Sequence, residues 1–80
     1  MFKRRLGPNP HQHGAQTPAA QGCPDIFELQ TGDFAVIGKN ITGEAAAKLP
    51  QDASCGPDEC IVMIPRQMLV RAKLDIPDAV

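Results

Sequence analysis

The 80-residue sequence predicts a small α+β domain of ββαβα order, and three observations carry that reading. Two short apolar-rich runs, Ile26 to Gln30 and Phe34 to Ile37, are separated by Thr31-Gly32-Asp33, the pattern of a β-hairpin with a glycine at the turn. Cys60 to Ile64 is a continuous, largely β-branched run, as expected of a buried strand. Two short segments, Gly43 to Leu49 and Gln67 to Leu74, are rich in helix formers and are followed by Pro50 and Pro77, respectively.

Ahead of the hairpin, residues 1 to 22 contain Pro8, Pro10, Pro18, Gly7, Gly14 and Gly22 among repeated polar residues, with no period of 2 or 3.6. The expectation is a disordered basic arm over 1–22, since such a segment buries too little surface to offset its ordering entropy. The α+β domain then spans 23–77, and 78–80 form a frayed tail.

In the hairpin, Phe27 and Leu29 share one face, as do Phe34 and Val36, and these four are the expected core. Ile26, Ala35 and Ile37 then form a second apolar face that a domain of this size has few elements to cover. In the first helical segment Thr42 is placed to cap the N-terminus and Glu44 to complement the dipole. Pro65 suits the first turn of the second helix, which should end near Asp75 because Pro77 disfavours helix at Ile76. Its apolar stripe is Met68, Leu69 and Ala72, with Arg66, Arg71 and Lys73 toward water.

Composition limits function. Apolar residues supply 42% of the chain but aromatics only 4%, so the core is aliphatic and base stacking has few side chains to use. The net charge of −1 conceals an asymmetry: Lys3, Arg4 and Arg5 stand without any acid in the first 22 residues, and the remainder is acidic. That body opposes phosphate backbones, leaving a weak, salt-sensitive nucleic-acid interaction through the arm as one alternative function. No apolar run reaches membrane-spanning length and no secretory signal is evident, which points to the cytoplasm; three cysteines, an odd number, fit a reducing compartment.

Cys23, Cys55 and Cys60 with His11 and His13 raise a second alternative, a small zinc- or thiol-dependent protein, because thiolates and imidazoles are the usual zinc ligands. The spacing contains no second close cysteine pair, and both histidines lie in the arm, so neither a metal nor any other cofactor is expected. A catalytic cysteine needs a base within hydrogen-bond reach, which neither histidine is placed to be, and no glycine-rich phosphate loop is present. No enzyme is expected. The reading is a noncatalytic protein-interaction module whose surface comprises Ile26, Ala35 and Ile37, with Arg66 and Arg71 as rim contacts. Its partner is another protein, a second copy of the chain among the candidates, with neither membrane nor nucleic acid expected.

Three stretches, Gly22-Cys23-Pro24-Asp25, Gly32-Asp33-Phe34-Ala35-Val36-Ile37-Gly38, and Pro65-Arg66 followed by Leu69 and Ala72-Lys73, resemble a set of short actinobacterial proteins with no assigned activity. The resemblance covers about residues 22 to 77 and rests on packing and turn motifs. It implies a bacterial cytosolic setting and an accessory role beside small regulatory systems; Cys55 and Cys60 are outside its pattern.

Overall fold

The structure, a computed structural model, describes residues 1–8 and 24–80. It is α+β. A three-stranded antiparallel sheet has the order β1 (Phe2–Arg5), β2 (Asp25–Leu29), β3 (Phe34–Ile37). A second ladder pairs β4 (Lys39–Asn40) with β5 (Val62–Met63), and between them lie α1 (Thr42–Ala45) and a 3-10 turn over Ala46–Lys48. Helix α2 (Arg66–Ala72) continues into a second 3-10 turn, Lys73–Asp75. The expected ββαβα order is therefore present, with β1 and β4 added to it.

Strand β1 corrects the disordered-arm expectation for residues 1–8; residues 9–22 lie outside the described residues. What anchors it is a bulge. Phe2 pairs with Leu29, but Arg4 pairs with Glu28 and Arg5 with Phe27, so Lys3 is an extra residue that reverses the facing of everything after it. Arg4 consequently meets Glu28 on one face at 2.8 Å, while Arg5 meets Asp25 on the other at 2.9 Å. Leu6, whose N–H donates to the Ile26 carbonyl, is directed inward and is 2% exposed.

The β2–β3 loop fixes the hairpin register. Gly32 N–H donates to the Leu29 carbonyl and Leu29 N–H to the Asp33 carbonyl, with Gly32 at φ 96°, a three-residue loop in which a turn runs into a glycine bulge. Ile26 is thereby set opposite Val36, and Phe27 opposite Ala35. Paired residues share a face, so Ile26, Glu28, Phe34 and Val36 lie on one side and Asp25, Phe27, Leu29, Ala35 and Ile37 on the other. The expected core quartet is thus divided between two faces. Phe27 and Leu29 are half-buried, and Phe34 and Val36 are exposed.

Helix α2 packs on the Ile26 face, where Leu6, Ile26, Met68 and Ala72 form the core with Ile64 against it. Met68 and Ala72 are buried as the stripe predicted, whereas Leu69 is exposed. The end of the helix is clasped by β1: Arg4 Nη2 donates to the Asp75 carbonyl at 2.6 Å, and Gly7 N–H to Asp75 Oδ2 at 2.7 Å. Ile76 is extended at φ −77°, ψ 125°, as a residue before proline should be.

The β4/β5 region departs from expectation in two ways. The run Cys60 to Ile64 is not a buried strand: Val62 and Met63 are exposed, since their ladder spans two residue pairs and no helix covers it among the described residues. Thr42 does not cap α1 either; its hydroxyl accepts the Ile61 N–H at 2.8 Å and its own N–H donates to Asn40 Oδ1. The two regions meet at Gly38, where a Cβ would stand 2.6 Å from the Met63 carbonyl oxygen, so the backbones approach too closely for a side chain. No helix among the described residues is long and apolar enough to cross a membrane.

Candidate interaction surface

The sheet face opposite α2 carries an aromatic cluster at its β1–β2 end and an aliphatic strip along β3. Phe2 and Phe27 meet at 5.1 Å between ring centroids with planes tilted by 57°, and the Arg5 guanidinium lies 5.1 Å from the centroid of Phe27. Arg5 also forks onto Asp25, Nε to Oδ1 at 2.9 Å and Nη2 to Oδ2 at 3.0 Å. These hydrogen bonds raise the Arg5 pKa, against an opposing effect of burial and with a further contribution from the Asp25 charge. The pair is thus a fixed polar corner that orients the Phe27 ring.

Strand β3 is open in three directions. Its backbone pairs with β2 on one edge, and no strand among the described residues pairs with the other. Since the Leu29–Asp33 pair is bonded, the alternation of an antiparallel ladder makes Ala35 and Ile37 bond to β2 and directs the N–H and C=O of Phe34 and Val36 outward. Above and below that edge, Phe34, Val36 and Ile37 are 46%, 44% and 50% exposed. The strand itself has no charge, and Asp33 and Lys39 stand at its two ends.

The residues expected to form an interface are only partly brought together. Ala35 and Ile37 are neighbours on the outer face. Ile26 is 4% exposed and belongs to the core, because β2 is the central strand and α2 covers its inner side. Arg66 and Arg71 are exposed but are carried by α2, on the opposite side of the sheet from Ile37, so they do not rim this face. Sequence reasoning missed Phe34 and Val36 as surface residues. The signal was the loop: a three-residue connection places odd-numbered residues of β2 opposite odd-numbered residues of β3, which separates Phe27 from Phe34.

Elsewhere, Cys55 is half-buried and Cys60 exposed, both as free thiols lining an open depression of about 430 Å³ with Leu49, Glu59 and Ile61. The Cys55 thiol donates to the Glu59 carbonyl at 3.3 Å. Cys23, His11 and His13 lie outside the described residues, among which no group of three potential ligands could hold a metal ion. Of the basic run, Arg4 and Arg5 are engaged with Glu28 and Asp25, which removes two of its three charges from any free cationic patch. The C-terminal Ile76, Pro77, Ala79 and Val80 line a second open depression, about 640 Å³, that reaches Phe34. No family model, curated protein or solved structure matches the chain.

Proposed function

We propose that this protein is a noncatalytic interaction module that docks another protein chain along β3, as an accessory to a bacterial regulatory system in the cytoplasm. The observation that carries the reading is β3 itself. Among the described residues it is an uncharged edge strand whose outward backbone donors and acceptors have no partner strand, with three large apolar side chains near half exposure. Natural sheets usually blunt such an edge with lysine, proline or a covering element, and an edge left open is a template for strand addition. Main-chain hydrogen bonds would supply the affinity and the side chains on the two faces the specificity.

The test is Ile37→Glu, compared with the parent chain in thermal unfolding and in recovery of partners from cells that express it. The expected result is a melting temperature within about 4 °C of the parent and a partner recovery at least about tenfold lower, since a charge is placed on the docking strand but not in a core. Unfolding would place Ile37 in the core. Unchanged recovery would remove β3 as the docking element. A second reading, a thiol-dependent protein, draws on one observation, that Cys55 and Cys60 line the same depression.

A further inference from the structure

We infer that the chain bound along β3 is a second copy of this protein, added antiparallel so that two three-stranded sheets join into one of six strands across a two-fold axis at Val36. The inference rests on the reading of β3 as a docking strand and names its partner.

Self-complementarity is what selects the second copy. A two-fold interface puts the same patch on both subunits, so each residue must be a fit partner for its symmetry mate. With Val36 on the axis, Ala35 faces Ile37 of the other copy, and Asp33 faces Lys39 of the other copy. A small side chain then meets a large one at the centre and an acid meets a base at each end. The backbone agrees, because Val36 is a residue whose N–H and C=O point away from β2, so the two copies of Val36 can exchange both hydrogen bonds. A register shifted by one residue would set inward-facing groups against outward-facing ones.

The charges that bracket the strand are free to take part. Lys39 is exposed and makes no ion pair among the described residues. Asp33 is exposed as well, and among the described residues its side chain accepts a hydrogen bond only from the neighbouring Thr31 hydroxyl, at 3.3 Å. A partner strand of like charge pattern in parallel orientation would align Asp33 with Asp33, so the same two residues also fix the direction. The apolar strip Phe34, Val36 and Ile37 is covered in the same step.

The experiment is sedimentation of the purified full chain from about 1 μM to 1 mM, a range that spans dissociation constants of weak to moderate dimers. A reversible monomer–dimer equilibrium is expected. Asp33→Lys and Lys39→Asp should each raise the dimer dissociation constant about tenfold, because each places two like-charged pairs across the strands. The double variant should return it to within about threefold of the parent. Hydrogen exchange supplies the second readout: the Phe34 and Val36 amides should gain protection as concentration rises, while those of Ala35 and Ile37 are protected throughout. A chain that stays monomeric to about 1 mM, or a double variant no better than the single ones, overturns the second-copy assignment. If that happens while Ile37→Glu still loses a captured partner, the docking strand stands and its occupant is a different protein. If Ile37→Glu alters neither capture nor sedimentation, the docking reading itself falls.

Discussion

The three-stranded sheet with α2 and the β4/β5 region are built from the same short elements, yet they hold together by different means. All buried residues described, Leu6, Pro24, Asp25, Ile26, Glu28, Met68 and Ala72, belong to the first region. From Lys39 to Met63 no described side chain is buried. The second region is joined instead by backbone and hydroxyl bonds: Ile41 N–H to the Ile61 carbonyl at 2.9 Å, Thr42 to Ile61, and a two-pair ladder. Solvent competes for such bonds far more than for a buried apolar contact, so this region should open before the sheet does. The chain concentrates its hydrophobic burial where β1, β2 and α2 meet, leaving β3 as the border between a stable half and a loosely held one.

Leu6 is the residue on which that contrast depends most. Truncation by Leu6→Ala removes a side chain that is 2% exposed and touches both sheet and helix, and should cost about 2–5 kcal/mol, a large part of the stability of a domain this size. Removing residues 1–8 altogether should abolish cooperative unfolding, because it also strips Arg4 and Arg5 from the nearly buried Glu28 and Asp25 carboxylates. Denaturant titration followed by far-UV circular dichroism checks both. A deletion variant that melts like the parent would return β1 to the status of an appendage.

This dependence was hidden in the sequence for a physical reason. Phe2 and Leu6 lie four positions apart, which in a regular strand would put them on one face, but the bulge at Lys3 sends Phe2 outward and Leu6 inward. Period-two reasoning has no access to an unpaired residue, and the prolines and glycines that follow dominate any composition window. Local signals were more readable. Gly32 at the turn, Met68 and Ala72 on the helix and the stop before Pro77 each follow from a few adjacent residues. The face assignments of the hairpin depended on register instead, and Ile26 and Val36 exchanged their expected places between core and edge accordingly.

Gly38 and Gly43 differ in how tightly they are surrounded, as the first lies at the junction of the two regions and the second inside the loosely held one. An alanine at Gly38 must displace the Met63 carbonyl and Ile64 Cγ2, which a Cβ would approach to 2.6 and 2.9 Å. Gly38→Ala should cost about 1–3 kcal/mol and speed hydrogen exchange across the β4–β5 ladder. Gly43, in α1, has nothing within 4 Å of the corresponding position. Gly43→Ala should therefore stabilise by about 0.4–1 kcal/mol, through a less flexible unfolded chain and a better helix former. A stabilising Gly38→Ala would mean that the two regions do not press on each other there.

The smallest effect is expected where the thiols lie. Cys55 and Cys60 sit in the region without a buried side chain among the described residues, and the Cys55 thiol donates a hydrogen bond to the Glu59 carbonyl that a hydroxyl can also donate. Nor does the loop depend on them for its shape, since Gly56 N–H donates to Glu59 Oε1 at 2.7 Å and Glu59 N–H to the Gly56 carbonyl at 3.1 Å. The double variant Cys55→Ser, Cys60→Ser should therefore unfold within about 0.5 kcal/mol of the parent, as surface substitutions usually do. A metal held by these thiols would add its binding free energy to folding and make both chelator and substitution destabilising. The measurement is a pair of melting curves with and without chelator, alongside metal analysis of protein purified without it. Coincident curves and far less than one equivalent of zinc are expected. A chelator-sensitive transition lost in the serine variant would assign the β4/β5 region its own source of stability, and would favour the thiol-dependent reading over the docking module.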